Sequence, residues 1–274
     1  MIEVRHRLTG AVLLRHNGRS LAGCDLTGIN LLDADLAGYD LREADLRSAD
    51  LNEAVLTGTC FRGANLSAAA LWGVNLVGAD LTGADLTDAQ LWGARLTDAR
   101  LEGANLTRIS VKEADLRGVR LTSLRLVRAD LVGALLTDAS LAGADLTEAN
   151  LSRADLRNAD IGDATLVAAS LWGADLRGAA LTGSDLTNAN LTASQLDGAD
   201  LARAILLHTL LTDLHGLHAA RNLDAVAHVG PCGLDHRTLR RSAAYLGDEF
   251  LEGVGFSPSE RSALHALYGA REKA

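Results

Sequence analysis

From Leu21 to Leu206 a large apolar residue returns at every fifth position, and it is Leu except at Phe61, Val111 and Ile161. Two residues before such a centre stands mostly Ala. One residue before it stands mostly Asp or Asn, as in Ala44-Asp45-Leu46 and Ala64-Asn65-Leu66. An α-helix would carry such a period around its whole surface, and a half-buried strand needs strict alternation, so neither fits. A fixed short period marks a solenoid. Its unit is A(D/N)LXX.

Repeated without a slip, this unit resembles that of the pentapeptide-repeat family. The resemblance implies an all-β solenoid: a right-handed quadrilateral β-helix in which four pentapeptides close one square coil. The side chains suit such a tube. Leu points inward, Ala before it keeps the crowded interior passable, and the remaining residues face the corner and the solvent. Stacked coils let each backbone amide pair with a neighbouring coil, so open edges remain only at the two ends. Residues 21–211 would make about nine coils, a rod of roughly 45 Å at a strand spacing of ~4.8 Å.

The flanks differ in pattern. In residues 1–20, Ile2, Val4, His6 and Leu8 alternate, Thr9-Gly10 can turn, Ala11 to Leu14 give a second strand, and Asn17-Gly18 is a hairpin-turn signal. This segment is expected to form a β cap over the first coil. Residues 212–274 are expected to be a helical C-terminal cap or connector. His218 to Val229 carries Ala219, Leu223 and Val226 on one side, and Gly230-Pro231 breaks it. Asp235 can cap a helix bearing Leu239, Ala243 and Leu246, ended by Gly247. Ser257-Pro258-Ser259-Glu260 is a capping box opening a helix with Leu264, Leu267 and Tyr268, stopped by Gly269. His228-Val229-Gly230-Pro231, Leu234-Asp235 and Phe250-Leu251-Glu252-Gly253-Val254-Gly255 resemble a connector found in some bacterial pentapeptide-repeat proteins. There a Toll/interleukin-receptor-type domain often follows. This sequence ends at Ala274, so an effector would be encoded separately.

The repeat loosens in the middle. Ile109, Val119 and Leu124 replace the small Ala, and Arg or Lys recurs at 95, 100, 108, 112, 117, 120, 125 and 128. Two readings stand: a slightly swollen coil on a solvated surface, or a basic girdle around the rod.

With four repeats per coil, residues twenty apart stack. Trp72, Trp92 and Trp172 then share one outward column with Leu32 and Val132. An exposed apolar stripe marks a contact surface, and Trp is favoured at binding hot spots. The plainer readings are that the tail folds over these side chains or that they lie flat on the rod. A second column holds Asp25, Asp45, Asp85, Asp145 and Asp185, broken by Arg125. It is a negative stripe or, more plainly, the repeat's own preference for a side chain that bonds its local turn.

The net charge of −9 argues against a direct nucleic-acid binder. No apolar run is long enough to span a membrane. Arg5, Arg7, Arg15 and His16 interrupt anything like a signal peptide. Cys24, Cys60 and Cys232 are odd in number and scattered, which predicts a reduced, cytoplasmic protein. His215, His218, Cys232 and His236 come near zinc-site spacing. The first pair sits in a stretch predicted helical, however, and the tail has an apolar core without metal. Carboxylates are everywhere, so no pair stands out as acid and base. No phosphate-binding loop or nucleophile elbow is present. The expectation is no enzyme, no metal and no cofactor.

Two functions follow. The first is a non-catalytic scaffold or adaptor that binds a protein partner, such as a signalling effector. The Trp column and the connector-like tail favour it. The alternative comes from the family resemblance: a DNA-mimicking protector or inhibitor of DNA gyrase or topoisomerase IV, giving resistance to topoisomerase poisons. Those relatives commonly form homodimers through their C-terminal ends, and the longer tail here departs from them.

Overall fold

The computed structural model describes residues 1–228 and 230–268. Each pentapeptide makes one side and one corner. The centre's carbonyl accepts the amide three residues on, as Leu46 O does from Ala49 N at 3.0 Å. The second residue after the centre is left-handed, with φ of 64° at Gly58 and 59° at Glu53. A type II turn requires that conformation at its third position. Glycine adopts it freely, whereas side-chain-bearing residues such as Glu53 and Arg153 are strained there by about 1–2 kcal/mol. The Asp or Asn before the centre steadies the corner, since its Oδ1 accepts the N–H two residues on. Asp45 Oδ1 from Arg47 N at 3.2 Å is one example.

Twenty residues bring the chain round to stack on itself. Asp45 bridges Asn65 and Asn65 bridges Asp85 in parallel register. The rungs run both ways: Leu46 N donates to Asn65 O at 2.7 Å, and Asn65 N donates to Ala44 O at 2.9 Å. Four corners per twenty-residue coil make the section square. The Leu centres and the Ala slots are buried along the whole length, in one apolar core that runs from Val4 to Val254.

Strands β1 (Ile2–His6) and β2 (Val12–His16) form an antiparallel hairpin, and β1 also pairs antiparallel with β3 (Ala34–Asp35). Val4 is fully buried beneath it. Arg7 ties the hairpin to Asp33 at 2.7 Å, and the Tyr39 hydroxyl donates to Glu3 O at 3.1 Å. The chain turns at Thr9-Gly10, where φ of Gly10 is 70°. Asn17-Gly18 closes no hairpin and instead leads β2 into the first coil.

The tail corrects the expectation of a helix over His218 to Val229. Solenoid winding continues there in irregular form, with short 3-10 turns at Leu217–Ala219 and Leu223–Ala225. Asp200 bridges Arg221, β4 (Ile205–Leu206) pairs parallel with β6 (Ala227–His228), and β5 (Leu210–Leu211) pairs with β7 (Gly233–Leu234). The offsets grow because extra residues bulge at the corners. Val229, at the end of that expected helix, lies outside the described residues. Three helices follow: α1 (His236–Ser242), α2 (Asp248–Gly253) and α3 (Pro258–Tyr268). Asp235 caps α1 by accepting from Thr238 N at 2.9 Å. That helix gives way to a 3-10 turn at Ala243–Tyr245, and Gly247 is the N-cap of α2 rather than an end of α1. Ser257 and Glu260 form the expected capping box, Ser257 N donating to Glu260 Oε2 at 2.8 Å. Gly269 lies outside the described residues.

Helices α1 and α2 close the far end of the tube. The Thr238 hydroxyl donates to Leu211 O at 3.1 Å and accepts from Leu214 N at 3.0 Å. Leu246, Phe250 and Leu251 are buried on the last winding. The end of the rod is thus an apolar seat filled by the chain's own helices.

Candidate protein-binding edge

Every residue two places before a centre lies inside, and every residue one place after it lies outside. That rule sets Leu32, Trp72, Trp92, Val132 and Trp172 on one corner of the square. The side chains of Trp72 and Trp92 are about half exposed, at 47% and 50%. Their rings meet edge to face, with centroids 6.2 Å apart and planes at 72°. The Trp72 amide donates to Asn52 Oδ1 of the neighbouring coil at 2.8 Å, which fixes the backbone that bears the first ring. Gly73 and Gly93 follow the two rings; the Glu53 carboxylate of the preceding coil lies over Gly73, while the space over Gly93 is open. The described tail residues leave the pair uncovered.

The column is not continuous. Asn52 separates Leu32 from Trp72, and Lys112 follows Trp92 with its Nζ held by Asp130 Oδ2 at 2.8 Å. Val132 is half-buried. Trp172 stands four coils beyond Trp92, about 19 Å at ~4.8 Å per coil. It is 39% exposed, and the Arg153 guanidinium lies over its ring, 4.7 Å from the centroid. Trp72 and Trp92 make one bare aromatic patch, whereas Trp172 carries its own cation. Arg153 was not a candidate from the sequence. Its signal was present, nineteen residues before Trp172, which places it on the adjoining corner column of the preceding coil.

The aspartate column is brought into line as well: Asp25 bridges Asp45, then Asn65, Asp85, Asn105, Arg125, Asp145, Thr165 and Asp185 follow. Only Asp25 and Asp45 are adjacent carboxylates. All five aspartates accept the amide two residues on, at 3.0–3.2 Å. Hydrogen bonds from Thr27 lower the Asp25 pKa, and the Arg47 guanidinium brings Asp45 down to about 2. Arg47 belongs to a recurrent Asp-Leu-Arg clip. In it Nε and the terminal nitrogen grip both oxygens of the Asp across the buried Leu, as also at Arg117 on Asp115 and Arg157 on Asp155. Much of the acidic and basic surface is therefore mutually neutralised. The basic girdle is partly so, with Arg108 on Asp88 at 2.6 Å and Arg128 on Glu148 at 2.6 Å.

The four residues with zinc-like spacing are dispersed. His215 and His218 line an open cleft with Asp213, Arg237, Arg240 and Arg241. His236 Nδ1 meets the Tyr268 hydroxyl at 3.1 Å, and the Cys232 sulfur faces Gly230 O at 3.9 Å. Among the described residues no three His, Cys, Asp or Glu side chains are placed to hold a metal. None of the helices among them is long and apolar enough to cross a membrane. A small void in the rod, about 10 Å³ among leucines from Leu86 to Leu131 with Ile109 and Val111, is room for about one water and offers it no polar partner.

The family model for pentapeptide repeats matches in eight copies, over residues 20–58, 29–67, 64–103, 94–138, 134–173 and 169–206. The chain belongs to the pentapeptide-repeat family. Its β-helix is accordingly right-handed. It is similar to HetL, a pentapeptide-repeat protein involved in heterocyst differentiation regulation from the cyanobacterium Nostoc sp. strain PCC 7120. The two are 39% identical over 77% of this chain and 94% of HetL, with a TM-score of 0.60. It is also similar to QnrB1, a plasmid-mediated fluoroquinolone resistance protein. That likeness is 18% identity over 83% of this chain and 99% of QnrB1, with a TM-score of 0.31. No curated protein sequence matches the chain.

Proposed function

We propose that this pentapeptide-repeat protein is a non-catalytic scaffold or adaptor that docks a protein partner on the corner bearing Trp72 and Trp92. The observation that carries this reading is the pair of half-exposed, edge-to-face indoles on a rigid ladder. Aromatic rings held without conformational freedom lose little entropy when covered, which is why Trp dominates binding hot spots. Leu32 and Val132 extend the edge, and Trp172 with Arg153 provides a separate contact further along. A regulator among the similar structures, HetL, is in keeping with a rod that works by being bound. The reading places the protein in a reducing, cytoplasmic setting, where its three thiols stay free. A signalling effector is one partner of the right kind, and a second copy of the chain is another.

The test is a pull-down quantified against a recovered partner with wild type, the double variant Trp72→Ala/Trp92→Ala, and a control Thr82→Ala on a different corner. The double variant should bind at least tenfold more weakly, about 1.4 kcal/mol, with an unchanged β signal in circular dichroism. Equal affinity in all three would remove the edge as a site.

A second reading, topoisomerase protection by DNA mimicry, is favoured by the alignment of Asp25, Asp45, Asp85, Asp145 and Asp185. It ranks behind because Asn65, Asn105, Arg125 and Thr165 dilute that line. A gyrase supercoiling assay with a fluoroquinolone, using wild type and an Asp85→Lys/Asp145→Lys variant, decides it. Charge-dependent protection would promote this reading over the scaffold.

A further inference from the structure

The backbone ladder has one break. Along the repeats the amides of each coil donate to its neighbours, yet those of Asp98, Leu101, Gly103, Arg120 and Arg125 meet no carbonyl. Nor does Arg100 bridge Arg120, although Asp80 bridges Arg100 and Arg120 bridges Ser140 on either side. Among the described repeat residues these lost rungs all fall between the same two coils, on the side formed by 99–101 and 119–121 and its two flanking corners. A surface groove lined by Asp98, Ala99, Arg100, Glu102, Val119 and Arg120 lies along this seam.

Sequence explains the opening. Ile109, Val119 and Leu124 put branched side chains in slots shaped for Ala, and overpacking a dense interior forces backbone shifts. Val119 stacks over Ala99 and Leu124 over Ala104, two of the residues whose carbonyls lose their donors. Val74, the one such substitution in its coil, is accommodated: Asn75 N still reaches Ala54 O, at a stretched 3.3 Å. The void beside Ile109 and Val111 is the other face of the same misfit, because coils propped apart at one wall cannot fill the middle. Outside, Arg100 and Arg120 stack in one column, where like charges repel.

On the opposite side the rungs hold. Val111 N donates to Asp130 O at 2.9 Å, Asp130 N to Ile109 O at 2.8 Å, and Glu113 N to Val132 O at 2.9 Å. One wall open and the opposite wall closed is the geometry of a hinge.

We propose that the rod is articulated at this seam into two rigid arms, one ending near residue 97 and one beginning near residue 126. Bending opens the side of Leu101 and Leu121 about the side of Val111 and Leu131. The Trp corner adjoins that intact side. Trp72 and Trp92 ride on one arm and Trp172 on the other, so a partner touching both would read their relative angle and make the edge concave. This last consequence rests on the binding-edge reading, whereas the hinge itself does not.

The experiment uses the full chain without its native thiols (Cys24→Ala, Cys60→Ala, Cys232→Ala) and spin labels on introduced cysteines. One pair spans the seam (Thr82→Cys with Ala142→Cys), and one pair lies beyond it at equal sequence separation (Ala142→Cys with Ala202→Cys). The spanning pair should give the broader distance distribution. The Leu101, Gly103, Arg120 and Arg125 amides should exchange at least a hundredfold faster than Leu141 and Gly143, which keep their rungs at 2.6 Å and 2.8 Å. Refilling the slots with Val119→Ala/Leu124→Ala should narrow the spanning distribution to match the other. Equal widths together with equal exchange in the unrepaired protein would overturn the hinge, whether or not the repaired variant folds. No partner is needed, so failure of the binding edge leaves this outcome untouched.

Discussion

Residues 129–206 and residues 98–125 are built from the same pentapeptide and behave differently. In the first stretch the inward slots hold Ala, or Ser184 and Ser194, whose hydroxyls are satisfied by Leu181 O and Leu191 O at 2.8 Å each. Every rung is made, and the buried leucines have essentially no exposure. In the second, Ile109, Val119 and Leu124 replace Ala in half of those slots, five rungs are missing, and Ala99 shows 7% exposure where its counterparts in the first stretch show none or nearly none. The centre Leu therefore does not set the quality of the coil. The small residue two places earlier does, because four sides converge on an interior with no room to yield.

The comparison can be broken most forcefully from the regular side. Leu171 is fully buried, and Leu171→Ala should cost about 2–5 kcal/mol in urea unfolding. A loss under 1 kcal/mol would mean that the interior is less tightly packed than the ladder implies. Next, Ala144→Leu places in a sound coil the side chain that Leu124 has in the loose one. Overpacking there should cost about 1–3 kcal/mol, and the Asp145 amide, now bonded to Leu124 O at 2.9 Å, should exchange faster. If exchange is unchanged, bulky inward residues are not the cause of the seam.

The smallest effect probes the surface, at Asp45-Leu46-Arg47, an Asp-Leu-Arg clip of the kind that both stretches carry. Arg47→Ala removes the partner that brings Asp45 down to about 2. Its carboxyl should then titrate closer to the ordinary value of about 3.9, followed by the side-chain carboxyl carbon in NMR. The sign is that of a depressed acid: the clip favours the fold above about pH 4 and its contribution fades as pH falls toward 2. With both groups largely in water, the change in melting temperature should be slight. A large one would promote the Asp-Leu-Arg clips from surface ornament to framework.

Much of this molecule is legible in residue order. Period five puts Leu21 to Leu206 inside, and stacking at twenty aligns Trp72 with Trp92. The capping residues Asp235 and Ser257 announce their helices because the bonds they make are local. The misreadings share a cause too. The span from His218 looked helical because Ala219, Leu223 and Val226 sit at helical spacing, yet the last regular coil offers an open edge, and pairing with it outweighs a short helix. Asn17-Gly18 has the residues of a hairpin turn, but the strand after it belongs to the solenoid.

What the sequence alone determined is everything periodic: the square coil, its core, and the corner on which each side chain stands. Tertiary structure decided how those positions act together. It showed that two indoles touch while a third is taken by Arg153, that aspartates in line are occupied by their own turns and arginines, and that one pair of coils does not close. The physical reason is that a repeat specifies each residue's neighbours by class, whereas packing, charge pairing and rung formation depend on which side chains meet across the coil boundary.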